Sequence, residues 1–154
     1  MATSTMTDRI AKTITLRAPR SRVWRALTDS EAFGTWFRAK LEGPFIEGAT
    51  TRGRITYPGY EHLTLEMQVE RIEPERLFSF RWHPYAVKPG VDYSSEPTTL
   101  VEFRLEDAGS DTTLTIVESG FDRIPLSRRD EAFRMNDQGW SEQAGNIERH
   151  VTTA

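Results

Sequence analysis

The stretch SRRDEAFRMNDQGWSEQAGNIERHV, residues 127–151, decides the fold. Phe133, Asn136, Trp140, Ala144, Ile147 and Val151 fall on one face at the α-helical period. The face is broad and mostly apolar, and no other segment reads as a second long helix. A helix from about Ser127 or Arg129 to Val151 is roughly 35 Å long at about 1.5 Å per residue, enough to lie diagonally across a whole sheet. Such a helix needs a broad apolar surface to cover, and a curved antiparallel sheet supplies one. Gly139 inside the helix fits either a close approach by a strand or loop, or a tolerated surface glycine.

The segments upstream alternate as strands do. Leu63, Leu65, Met67 and Val69 alternate with Thr64, Glu66, Gln68 and Glu70; Phe78, Phe80 and Trp82 alternate with Ser79 and Arg81. Val101, Phe103 and Leu105 form a further inward face, and Leu114 and Ile116 continue one towards Glu118. Near the start, Ile10, Ile14 and Leu16 share a face that Lys12 interrupts, which marks a strand at the edge of a sheet. After Ala18-Pro19, Val23, Trp24 and Leu27 have helical spacing. Thr28-x-x-Glu31 matches a capping box, with Asp29 as the alternative cap, before a second short helix carrying Phe33, Trp36 and Phe37. Arg38 to Tyr57 reads as two short strands around Gly43-Pro44 and Gly48, and Pro58-Gly59 as a turn. The loop from about His83 to Pro97 is long for a hairpin, and long ordered loops are often functional.

Composition bounds the function. The chain has 154 residues, 37% hydrophobic and 28% charged, which suits one soluble globular domain over 8–151, with 1–7 as a disordered N-terminal tail. It has no cysteine, so disulfides, zinc–thiolate sites and thiol nucleophiles are excluded. The net charge of −3 leaves no basic footprint for nucleic acid. No apolar run approaches the roughly 20 residues of a membrane span, and residues 1–7 lack the apolar core of a signal peptide. The expected location is cytoplasmic.

The order and spacing of several short motifs resemble a known family. They are Ala18-Pro19, Val23-Trp24-Arg25-Ala26-Leu27-Thr28-Asp29, Trp36-Phe37, Pro58-Gly59-Tyr60-Glu61-His62 and Glu73-Pro74-Glu75-Arg76-Leu77. Glu118-Ser119-Gly120-Phe121-Asp122, Ile124-Pro125, Ala132-Phe133-Arg134-Met135-Asn136, Gly139-Trp140, Asn146-Ile147 and His150-Val151 complete the set. Together they resemble bacterial proteins of the START-like (SRPBCC, helix-grip) superfamily, in the branch named after the activator of the heat-shock protein 90 ATPase. The resemblance implies an α+β helix-grip fold: about seven antiparallel strands curved around a long C-terminal helix, with two short helices after the first strand. It also implies a cavity between helix and sheet, which in this superfamily often holds hydrophobic small molecules. A minority of relatives are cyclases, dehydratases or hydrolases. The chain lacks the additional N-terminal domain of the eukaryotic co-chaperones, so a chaperone partner is not expected.

Candidate functional residues follow from the strand and helix phases. No phosphate loop, G-x-S-x-G or metal-spaced histidine pair is present, and no cofactor or metal is expected. His62, His83 and His150 fall on separate elements. Glu118, in phase with Leu114 and Ile116, places a carboxylate on the inward face. There it is a candidate acid or base, alone or with His83 or Tyr85, unless it reaches solvent or pairs with Arg123 or Arg134. Asn136 on the helix could orient a ligand or bond a loop backbone. Trp36, Tyr57, Met67, Trp82, Phe103, Phe133 and Trp140 are read as pocket wall, though aromatics at these spacings also build ordinary core. Arg128, Arg129 and Arg134 near the helix start oppose its dipole; they read first as a solvated charged face, with pairing to Glu131, Asp130 or sheet acids open to them and an anion site as the remote alternative. The leading reading is a binder of a hydrophobic small molecule rather than an enzyme. An acid/base enzyme using Glu118, and a stress-response or chaperone-interaction module, are the alternatives. A homodimer through the lightly guarded first strand is compatible with all three.

Overall fold

The computed structural model describes residues 8–88 and 90–152. The tail expected over 1–7 lies outside the described residues. The order begins with strand β1 (Arg9–Leu16), helices α1 (Arg20–Thr28) and α2 (Ser30–Phe37), then strands β2 (Ala39–Leu41) and β3 (Thr50–Ile55). Strands β4 (Thr64–Glu73), β5 (Leu77–Trp82), β6 (Thr99–Ala108) and β7 (Asp111–Ser119) follow. A 3₁₀ turn at Phe121–Arg123 leads into α3 (Leu126–Thr152). The seven strands form one antiparallel sheet in the order β1-β7-β6-β5-β4-β3-β2. This is the expected helix-grip arrangement, with the first strand at an edge.

The sheet register explains the core. Phe78 lies opposite Phe103 and Phe80 opposite Val101, while Phe103 lies opposite Ile116 and Leu105 opposite Leu114. These side chains share the buried face. Phe78, Phe80, Phe103, Leu114 and Ile116 have no exposed surface. From the helix, Ala132, Trp140, Ala144, Ile147 and Val151 are buried against the rest of the molecule. Phe103 is the hub, with ring centroids 6.1 Å from Phe78, 6.0 Å from Phe80, 6.4 Å from Trp36 and 5.8 Å from Trp140.

Lys12, which interrupts the apolar face of β1, reaches Asp137 of α3 at 2.9 Å. Its charge thus bridges the edge strand to the helix instead of spoiling the face. At the α1–α2 junction the cap is Asp29 and not Thr28. Asp29 Oδ1 accepts from Glu31 N at 2.9 Å, and the Thr28 hydroxyl donates back to Trp24 O, closing α1. Gly34 in α2 is required by packing, because a Cβ there would lie 2.3 Å from the carbonyl oxygen of Ala39 on β2.

Gly139 has the opposite character. Nothing comes within 4 Å of a Cβ built on it, so no strand or loop approaches. Gly139→Ala therefore removes backbone entropy from the unfolded chain without a steric cost. It is expected to stabilise the protein by about 0.5–1 kcal/mol, read as a higher denaturation midpoint at unchanged slope.

Candidate functional site

The phase of β7 carries Glu118 inward, between Ile10 of β1 and Val101 of β6. Its side chain is fully buried. A carboxylate flanked by apolar neighbours needs donors, and three elements supply four of them. Trp82 Nε1 at the end of β5 donates to Oε2 at 2.8 Å, and Thr99 Oγ1 at the start of β6 donates to the same oxygen at 2.5 Å. Trp140 Nε1 and Asn136 Nδ2, one turn apart on α3, donate to Oε1 at 2.8 and 3.0 Å. Two donors per oxygen fill the lone-pair positions of an ionised carboxylate.

No cation shares in this arrangement among the described residues. The expected alternatives, solvent exposure or a pair with Arg123 or Arg134, do not occur. Burial is the dominant influence and pushes the Glu118 carboxyl above its ordinary range; the bonds from Thr99, Trp82, Trp140 and Asn136 act in the opposite direction. Neither His83 nor Tyr85 bonds to Glu118. His83 Nε2 lies 3.1 Å from Glu96 O, and the Tyr85 hydroxyl is pushed to higher pKa, first by burial and then by the charge of Glu131.

Two of the four donors also face outward. Trp82 and Asn136 line a pocket of about 530 Å³ that opens beneath the loop between β5 and β6. Phe37, Ile55, Leu63 and Leu65 supply apolar wall, and Tyr85, Val87 and Val91 of the loop supply its cover. Glu118 thus sits one side chain beneath the inner end of the pocket.

The loop is held in place from α3. Arg128 donates to Pro84 O at 2.9 Å and to Tyr85 O at 3.3 Å, meets Glu96 at 2.6 Å, and lies over the Tyr93 ring at 4.7 Å. Tyr85 is in the left-handed region, with φ 49°, a strained state for a bulky residue that these contacts hold. Arg128 therefore pairs with a loop acid, not with the neighbouring Asp130 or Glu131. Arg129 donates to the carbonyls of Ile124 and Asp122. The Arg128 and Glu96 side chains are only 15% and 21% exposed, so their pairing is worth more than a surface ion pair. Arg128→Ala is expected to cost about 1–3 kcal/mol, and its loss falls locally. Amide exchange should accelerate in residues 83–96 well before the sheet amides respond; uniform protection across both would contradict this.

The match to known proteins follows this geometry. Residues 17–152 match the family described as Activator of Hsp90 ATPase homolog 1-like protein. The chain belongs to this family. Among curated proteins none matches the chain. DynU16, a protein of the dynemicin biosynthetic locus, is 27% identical with a TM-score of 0.72 over 95% of this chain and 48% of its own. The chain therefore spans about half the length of DynU16. MLL2253 from Mesorhizobium loti is 21% identical, TM-score 0.74, covering 94% of this chain and 96% of its own. The Aha1 dimer from Colwellia psychrerythraea is 14% identical, TM-score 0.68, covering 93% and 95%. The last two share the fold.

The chain distributes the expected site residues unevenly. Trp82, Glu118, Asn136 and Trp140 converge. Met67 and Phe103 belong to closed core, both at 0% exposure, while Trp36, 4% exposed, borders a separate surface opening beside Arg38, Asn146 and His150. Trp36 Nε1 is occupied by Ala26 O at 2.8 Å. Phe133 packs edge-on against Phe121, and Tyr57 is exposed, beside Tyr60 and Arg38. Thr99 was absent from the sequence expectation. Its signal was weak, since a threonine at a strand start is ordinary. The two indole N–H groups were the better clue, because a buried tryptophan needs an acceptor and Glu118 was the inward acid. No helix among the described residues is long and apolar enough to cross a membrane, and no cluster of metal-binding side chains occurs among them.

Proposed function

We propose that the protein binds a hydrophobic or amphipathic small molecule in the pocket beneath the 83–98 loop, with its inner end against Trp82 and Asn136. The observation that carries this is the combination of apolar wall with two polar side chains fixed by a buried carboxylate. Ligand pockets have this composition and commonly occupy about 300–1,000 Å³. Binding would draw on burial of apolar ligand surface at roughly 25 cal/mol per Å². The origin of one structural relative in a biosynthetic locus supports a small-molecule partner. A panel of lipids, flavonoids and polyketides in an NMR titration tests the reading. Saturable shifts are expected at the Trp82 indole and the Asn136 amide, and a panel-wide absence of them would count against it.

A second reading, an acid/base enzyme of the cyclase, dehydratase or hydrolase type, draws on the raised pKa of Glu118. Trp82 and Asn136 stand between that carboxylate and the pocket, so substrate would have to displace one of them. Loss of turnover in Glu118→Gln with ligand binding retained would favour it. A dimer through the edge of β1 is compatible with either reading, and a dimer is known for the Aha1 structure of the same fold. Sedimentation at increasing concentration tests that point.

A further inference from the structure

Asn136 carries more information than its place in the pocket wall. Its Nδ2 lies 3.0 Å from Oε1 and 3.2 Å from Oε2 of Glu118. An ionised carboxylate only accepts, so above the pH at which Glu118 loses its proton the amide cannot be turned the other way. Oδ1 is then the atom on the opposite side of the amide, and among the described residues no donor meets it. Asn136 is half-buried and borders the pocket. Trp82 adds no donor there, because its indole N–H is already given to Glu118 and only its ring faces the space. The histidines of the lining are engaged with backbone carbonyls, His62 with Val87 O at 3.4 Å and His83 with Glu96 O. The charged groups of the lining, Glu66, Lys88 and Asp92, are all exposed at its outer rim, and Glu66 is paired with Arg52 at 2.9 Å.

We infer that the ligand presents a hydroxyl or N–H donor to Asn136 Oδ1, so that the pocket selects neutral donor-bearing molecules over their ethers and carboxylates. This rests on the binding reading above and narrows its ligand class. Glu118 acts as the positioning residue: in its ionised form it fixes which end of the Asn136 amide faces the ligand, and a ligand carboxylate, having no donor, would set its own charge against Asn136 Oδ1. An ether leaves Oδ1 unpaired on binding, which is the costly case for a desolvated acceptor.

The test is an NMR titration at mildly alkaline pH with four probes of one shape: β-naphthol, its methyl ether, the corresponding naphthoate, and naphthalene. The naphthol is expected to bind about tenfold more tightly than the ether, one hydrogen bond's worth, with the naphthoate weaker than both. Naphthol alone should shift the Asn136 Cγ resonance. In Asn136→Leu the naphthol-to-ether ratio should fall to about one. If that variant does not fold, the Cγ shift in the unaltered protein decides: its absence overturns the inference. Ether or naphthoate binding as tightly as naphthol also overturns it while leaving the pocket reading intact. If even naphthalene gives no saturable shift at Trp82, the pocket reading itself fails and the donor inference falls with it.

Discussion

Glu118→Ala destabilises the protein by about 4 kcal/mol, a large part of the roughly 5–15 kcal/mol typical of a domain. The carboxylate is the shared acceptor of Trp82, Thr99, Asn136 and Trp140. Truncation leaves the Thr99 and Trp140 donors buried without a partner, each worth about 1–3 kcal/mol if left unsatisfied, while the half-buried Trp82 and Asn136 donors can turn to water. The sum is not reached, because removing a desolvated carboxylate returns some of the cost of burying it and the donors can relax into the void. Glu118→Gln keeps the shape but turns one acceptor into an NH₂ facing a donor, and about 1–2 kcal/mol is expected. Urea unfolding of both variants checks the order; equal stability of alanine variant and parent would contradict it.

The pH dependence of the same group has a definite sign. Burial, the leading influence, raises the folded-state pKa of Glu118, so the folded protein keeps its proton at pH values where the unfolded chain has released it. The stability this contributes is complete below the unfolded value and is lost as pH rises through the folded value. Relative to Glu118→Gln, the unaltered protein should therefore lose stability over that window. A difference between the two that is constant with pH would be inconsistent with a raised pKa.

Phe103→Ala is the second large effect, about 3–5 kcal/mol. Phe103 touches Trp36, Phe78, Phe80 and Trp140, and it fills the space between helix and sheet that a ligand cavity would occupy. Its neighbours belong to α2, β5 and α3, so they cannot collapse together into the void. The hollow that results is lined by rings, and apolar cavities of this kind stay dry and accept benzene-sized molecules. Saturating benzene should restore part of the lost midpoint in Phe103→Ala and leave the unaltered protein unmoved. No restoration would mean that the core repacks around the missing ring.

Much of the fold was legible because its two periods are clean. The helical face of α3 and the period-2 strands Leu63–Val69, Phe78–Trp82 and Val101–Leu105 each announce which residues face inward. Lys12 was legible as an edge signal, but its bond to Asp137 depends on how α3 crosses β1, which no local pattern encodes. Glu118 was legible as an inward acid for the same reason that Ile116 was legible as core. Its partners were not, because they come from β5, β6 and α3 and meet only in the folded sheet. Which of the expected wall residues border an opening was not legible, for a related reason. Side-chain phase does not say whether facing side chains leave room, and Phe103 and Met67 leave none. The opening lies under the loop, whose course is set by Arg128, Glu96 and two carbonyls instead of by periodicity.

The pairing of β1 with β7 sets the order of events during synthesis. Ile10 must wait for Glu118 and Leu16 for Thr112 before either strand has its neighbour. A ribosome that has delivered β1 through β5 has delivered a ribbon with its first strand unattached, and joining residues this distant is entropically slow. The apolar side of that waiting strand is exposed to other nascent chains until the final third of the polypeptide emerges.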